Sequence, residues 1–254
     1  MNNRPELISI LMAAYNAGST IEAAVSSVIA QTYGSWELII VDDASADQSY
    51  DLISAFAQKD ERITVIRNEV NRGVSFTRKR ALSNARGNWI AILDSDDIWA
   101  SDKLEKQVSV LDDAGPELVF TGSAFIRNDG SPIDWILHVP NKVTYRQLLK
   151  QNLISNSSVL VKRGSYEKNY SECDEIHEDF ATWLKILKTG GSAYGIDEPL
   201  LKYRLSPSSK SGNKLRSAKM NWKTYRYIGL DPFQSFYYMI WYTVNGILKY
   251  RHLI

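Results

Sequence analysis

The sequence predicts an α/β fold, a mostly parallel central sheet with helices on both faces. Three observations lead there. Strand-like apolar runs alternate with helix-patterned segments through the first half of the chain. The ends of four of those runs read AAYNAG, VDDAS, RNEVNRG and LDSDD, so polar and turn residues gather where parallel sheets bind ligands. The length, 254 residues, suits one large α/β domain or a domain with a smaller appendage.

The elements follow in order. A strand is expected over residues 7–13; Glu6 stands before it without a basic leader, so a strand is favoured over a signal peptide. A helix near 20–31 comes next, then a strand over 37–42, a helix near 47–58 and a strand over 62–67. A helix near 74–85, a strand over 89–94, a helix over 101–114 and a strand over 117–125 complete the regular half. Beyond it, SNSSVLVKR (155–163) reads as a strand and HEDFATWLKILKTGG (177–191) as a helix closed by glycines. Phe180, Trp183, Leu184 and Leu187 share one face of that helix. SPSSKSGNK (206–214) is the nearest thing to a linker.

Composition narrows the function. At 44% hydrophobic and 23% charged residues the chain can bury a substantial core. A net charge of +1 gives no case for a nucleic-acid partner. Cys173 is the single cysteine, which rules out an internal disulfide and points to a reducing compartment. There is no G-x-G-x-x-G after the first strand, no P-loop and no G-x-S-x-G elbow. One cysteine and three histidines leave little for a zinc site.

One stretch raises a question of charge. AILDSDDIW (91–99) ends an apolar run in Asp94, Asp96 and Asp97, and carboxylates crowded this closely repel one another. Asp94 and Asp96, two apart on an extended backbone, offer hard oxygen ligands suited to Mg²⁺ or Mn²⁺ carried with a phosphate ligand. A calcium loop is excluded because Trp99 stands where that loop needs glycine. Asp102 is expected to cap the following helix, and Trp99 to pack.

ISILMAAYNAGSTIEAAVSSVIAQTY, WELIIVDDASAD, NRGVSFTRKRALSNARGNWIAILDSDD and HEDFATWLKIL together resemble the inverting family-two glycosyltransferases of the GT-A fold, from about residue 6 to about residue 211. The resemblance implies a GT-A domain over 1–211, with a nucleotide-binding half to about residue 100 and an acceptor-binding half beyond it. It implies that Tyr15 stacks on the nucleobase and Asp43 hydrogen-bonds uracil, with the Ala13 backbone nearby. Arg78 would help hold the nucleotide, Asp94 and Ser95 would line the ribose and sugar, and Asp96 would ligate Mn²⁺ or Mg²⁺. Asp179 would be the general base, with Glu178 as its competitor. Where many relatives place a histidine within YRLSPSSKS, Ser206 or a neighbour stands, leaving Arg204 and Lys210 to meet the diphosphate. The implied donor is a UDP-sugar carrying a hexose or N-acetylhexosamine. The implied acceptor is a glycan, for instance on undecaprenyl diphosphate, in cell-surface polysaccharide or O-antigen synthesis.

The chain past 211 lies outside the resemblance. Residues 200–230 carry eight Lys or Arg, and the next acid is Asp231. DPFQSFYYMIWYTVNGILKYRHLI (231–254) is crowded with aromatics and uncharged from Pro232 to Leu248. Residues 212–254 are therefore expected to form a basic, aromatic helical extension. A peripheral contact with the cytoplasmic membrane surface, packing on the domain, and a homodimer contact are its three readings. Two rival functions remain at this point: a nucleotidyltransferase, which would release pyrophosphate, and a nucleotide- or glycan-binding module without catalysis.

Overall fold

The computed structural model describes residues 7–111, 115–205 and 214–250. The regular half runs β1 (Ile8–Ala14), α1 (Ile21–Ile29), β2 (Trp36–Asp42), α2 (Ser49–Ala57), β3 (Ile63–Arg67), α3 (Val74–Ser83), β4 (Trp89–Ile92), β5 (Ile98–Trp99), α4 (Lys103–Ser109) and β6 (Leu118–Ile126). The second half runs β7 (Pro132–Leu137), β8 (Lys142–Val143), α5 (Tyr145–Lys150), β9 (Leu160–Lys162), α6 (Arg163–Asn169), α7 (Glu178–Lys188) and β10 (Ala193–Arg204). Two helices close it, α8 (Lys214–Tyr227) and α9 (Pro232–Tyr250).

One sheet organises the molecule, in the order β3-β2-β1-β4-β9-β6-β10-β5. β3, β2, β1 and β4 are mutually parallel, and β6 pairs parallel with β10. β9 runs antiparallel between β4 and β6, and the short strands β5, β7 and β8 pair antiparallel at the far side. The apolar runs follow from this layout. Alternate residues of one strand enter opposite layers, so both faces must be apolar. In β2, Leu38 and Ile40 join the core beneath α1, α2 and α4, while Ile39 and Val41 join the core beneath α3, α5 and α7.

Two expectations need correction, and one strand lies outside them. Residues 155–163 are not one strand: Asn156–Ser158 form a 3-10 turn and only Leu160–Lys162 pair. Asp102 occupies the cap position of α4 without a capping hydrogen bond, because its carboxylate pairs with Lys106 at 2.7 Å. β10 was not anticipated, since Asp197, Glu198 and Pro199 interrupt its apolar pattern and the pairing register shifts there. Residues 206–213, with Ser206 and Lys210, lie outside the described residues.

The expected extension does form helices, and it joins the main core. Tyr225, Ile228 and Leu230 are buried in the layer that holds α7, and the Tyr225 hydroxyl donates to the Leu149 carbonyl at 2.6 Å. No described helix is long and apolar enough to cross a membrane.

Candidate active site

The parallel strands β1, β2 and β4 deliver their C-terminal ends to one edge of the sheet, and the loops there are locked to one another. After β1, Asn16 has φ 47°, and after β2, Ala44 has φ 58°, both in the left-handed region that side chains usually avoid. Mutual bonds hold these turns: the Asn16 amide donates to Ser45 Oγ at 2.9 Å, and the Ala46 amide donates to Asn16 Oδ1 at 2.9 Å. Such strain persists only where the surroundings impose it. Beside this pair, Tyr15 is 52% exposed, open to a stacking partner, and Ala13 is partly exposed.

The two aspartates after β2 are already engaged. Asp42 is fully buried, with Oδ2 accepting from the Ser45 amide at 3.1 Å and from Arg67 Nε at 3.2 Å. Asp43 accepts from Asn68 Nδ2 at 2.7 Å and from the backbone amides of Arg72 and Gly73 at 2.8 and 2.9 Å. Asp43 thus shapes the loop that leads into α3. Gly73 at the turn has φ 85°, and a Cβ there would meet Asp174 Oδ2 at 2.0 Å, so the loop requires glycine.

From α3, Arg78 reaches into the centre. It is 3% exposed and forms two 2.8 Å ion pairs, Nη2 to Asp94 and Nη1 to Glu178. One guanidinium therefore ties the end of β4 to the start of α7. Burial opposes its charge, yet Asp94 and Glu178 hold it firmly protonated. Asn156, from the 3-10 turn before β9, donates to both oxygens of Asp94 at 3.1 and 3.2 Å.

The rest of the DSDD loop is fixed from two sides. Ser157 Oγ accepts from the Asp94 amide at 3.1 Å, and Trp99 Nε1 donates to the Ser157 carbonyl at 2.6 Å, so Trp99 packs as expected. Arg204 is 7% exposed; its Nε donates to the Asp96 carbonyl at 2.8 Å, and its Nη1 to the carbonyls of Arg127 and Asn128 at 3.0 and 2.9 Å. Its amide donates to the buried Asp97 carboxylate at 2.9 Å. Arg204 therefore buttresses the loop. Ser95 is partly exposed, and its carbonyl accepts from Thr20 Oγ1 at 3.0 Å.

Two carboxylates stand apart. Among the described residues, no side chain hydrogen-bonds or ion-pairs with Asp96 or Asp179, whose carboxylates meet only backbone amides, whereas Asp42, Asp43, Asp94, Asp97 and Glu178 are all committed. Burial, and then the charge of Asp94, raise the Asp96 carboxyl to about 6. Burial, and then Glu178, raise that of Asp179, which lies in the first turn of α7 behind His177. Burial, and then Asp96 and Asp94, raise the Asp97 carboxyl well above the usual carboxylate range. No group of three or more His, Cys, Asp or Glu side chains converges as a metal site among the described residues. A cation at Asp96 would need ligands from a bound phosphate.

Asn156, Ser157 and the supporting role of Glu178 carry no local signal. They act across 58 to 100 residues of chain, and only the fold brings them to Asp94, Trp99 and Arg78.

Comparison with known proteins fits this geometry. Residues 9–176 match the profile of "Glycosyl transferase family 2". The Bacillus subtilis protein TuaG, named for teichuronic acid biosynthesis, is 38% identical over 250 residues, covering 98% of this chain and 99% of its own. Escherichia coli WfgD is named as a UDP-Glc:alpha-D-GlcNAc-diphosphoundecaprenol beta-1,3-glucosyltransferase. It is 37% identical over 246 residues, covering 96% of this chain and 95% of its own. Staphylococcus aureus TarS, solved with UDP-GlcNAc, superposes with a TM-score of 0.72 at 17% identity, covering 91% of this chain and 70% of that one. The Pyrobaculum calidifontis mannosyltransferase PcManGT, solved with GDP-Man and Mn²⁺, gives 0.70 at 20% identity over 94% of this chain and 69% of its own. These likenesses set aside the nucleotidyltransferase and the non-catalytic module: the chain belongs to glycosyl transferase family 2 and is a glycosyltransferase with the GT-A fold.

Proposed function

We propose that the enzyme moves a hexose or N-acetylhexosamine from a UDP-sugar to a hydroxyl of a lipid-linked glycan, with inversion and with the help of a divalent cation. One observation carries the reading. Of the site carboxylates, Asp96 and Asp179 alone are left without a side-chain partner among the described residues, and both have raised proton affinity. Inverting transfer needs two such groups, one toward the cation and diphosphate, one toward the acceptor.

The names of the relatives support the substrates, a UDP-sugar donor and a diphosphoundecaprenol-linked acceptor being printed for WfgD. Tyr15, beside the interlocked turns, offers its face to the base, and Asp43 holds the loop through which uracil would be read. Asp94, held by Arg78 and Asn156, would line the ribose and sugar. Asp96, with Asp94 beside it, would hold Mg²⁺ or Mn²⁺, which when bound neutralises charge on the departing diphosphate. Asp179 takes the proton from the acceptor hydroxyl as that oxygen attacks the anomeric carbon. The bond to UDP breaks in the same displacement, so the configuration inverts. Its raised proton affinity brings Asp179 closer to neutral pH, which suits a general base. Glu178 is bound to Arg78, which favours Asp179 for the role.

The test is thermal shift with a panel of nucleotide sugars in Mn²⁺, followed by UDP release with a glycan acceptor. UDP-sugars should stabilise the chain by about 2.7 kcal/mol at a hundredfold excess over Kd. Asp96→Ala should lose transfer and bind UDP more weakly in Mn²⁺. Full activity of that variant in EDTA-treated buffer would refute the metal reading, and a shift with GDP-sugars alone would refute the donor.

A further inference from the structure

Helix α9 carries two apolar stripes. Tyr238, Met239 and Tyr242 face inward and pack on the core around α7, with Tyr242 5.9 Å from Phe180 and Tyr238 6.3 Å from Tyr225 between ring centres. Phe233, Phe236, Tyr237, Ile240, Trp241 and Val244 recur at spacings of three, one and three, which lines them along a second face. That face is turned to solvent: Phe233 is 88% exposed, Phe236 63% and Ile240 50%. A continuous apolar stripe in water marks an interaction surface rather than scattered surface residues. A groove of about 510 Å³ opens beside it between α5 and α9, lined by Leu149, Phe233 and Tyr237 together with Arg146.

Charge selects the occupant. α5, α8 and α9 contain eight Lys or Arg and no Asp or Glu. The whole chain carries only +1, so the remainder is net acidic. Arg146, Lys219 and Arg226 are exposed, and Lys150 Nζ lies 4.9 Å above the Trp241 ring. A second copy laid on this face would set the same cations against themselves. Anionic lipid headgroups meet them with opposite charge, and aromatic rings beside lysines and arginines suit the membrane–water boundary. The 19 residues of α9 span about 28 Å, long enough for an in-plane contact.

The face is also tied to the site. From α8, Thr224 Oγ1 accepts from the His177 amide at 3.1 Å, and Ser217 Oγ lies 3.3 Å from His177 Nε2. His177 immediately precedes Glu178 and Asp179.

We propose that the outer stripe of α9, flanked by the basic residues of α5 and α8, docks on an anionic lipid bilayer and brings the site to acceptors held in that bilayer. The acceptor clause rests on the function proposed above; the docking itself does not.

The full chain is sedimented with vesicles of phosphatidylcholine alone and of phosphatidylcholine with about 30% phosphatidylglycerol. The wild type should bind the anionic vesicles and be released by high salt. Phe236→Ser with Ile240→Ser should need on the order of tenfold more lipid for half-binding. Its melting temperature and its transfer to a short water-soluble acceptor should stay at wild-type levels. A wild type that ignores anionic vesicles, or a double variant that binds them equally, overturns the proposal. Light scattering that shows a wild-type dimer and a monomeric variant also overturns it, assigning the stripe to a second copy. Docking without transfer from any nucleotide sugar would instead refute the function and leave the docking in place.

Discussion

Replacing Asp96 with asparagine should raise the melting temperature of the ligand-free enzyme while abolishing transfer. Burial, and secondarily Asp94, lift the Asp96 carboxyl from an ordinary 3.8 to about 6. That gap corresponds to about 3 kcal/mol of cost for keeping the group ionised in the folded state at pH 8. Asp96 is partly exposed, so solvent screening reduces the usable figure to about 1–2 kcal/mol. In a chain of this size each kcal/mol moves Tm by about 2–4 °C, which predicts a rise of about 2–8 °C. The sign follows from linkage. The folded state binds this proton more tightly than the unfolded state, so the stabilising contribution is complete below 3.8 and is lost as pH rises through about 6. The gap between variant and wild type should therefore be widest at pH 8 and close as pH falls toward 4. Scanning fluorimetry in EDTA across that range measures it. A gap that does not change with pH, or an Asp96→Asn variant less stable than wild type at pH 8, would refute the argument.

Two further substitutions separate chemistry from scaffold. Asp179→Asn should cut turnover on the order of a hundredfold or more with donor affinity intact, as loss of a general base does; Glu178→Gln should instead cost up to about 3 kcal/mol in urea unfolding, because it weakens a buried pair to Arg78. The reverse ranking of turnover would transfer the base role to Glu178. Gly73→Ala should destabilise by about 1–3 kcal/mol and weaken UDP binding, since the residue has φ 85°, its Cβ would displace Asp174, and its amide holds Asp43. Wild-type calorimetric affinity for UDP would show that this loop does not shape the nucleotide site.

The parallel half of the sheet, and the edge where its polar loops gather, could be read from the amino acids alone. Runs such as those of β1, β2 and β4 are apolar on both faces, which only a doubly covered parallel sheet accommodates. Their polar ends had to converge, because parallel strands point the same way. Asp43, Asp94, Asp96 and Asp179 stand out as candidates because each follows a strand or opens a helix within the motifs that resemble the family. The division of labour among them was not legible. That depends on which carboxylates find partners, and the partners come from far along the chain: Asn156 to Asp94, Glu178 to Arg78, the Arg72 and Gly73 amides to Asp43. Arg204 reads in sequence as a free cation for the diphosphate, but the fold buries it against the carbonyls of Asp96, Arg127 and Asn128. The C-terminal segment likewise revealed its aromatics and its basic character, but not that one stripe of α9 would be buried and the other left in water. Local pattern fixes what a residue can do; long-range packing decides which groups are desolvated and paired, and so which remain free to act.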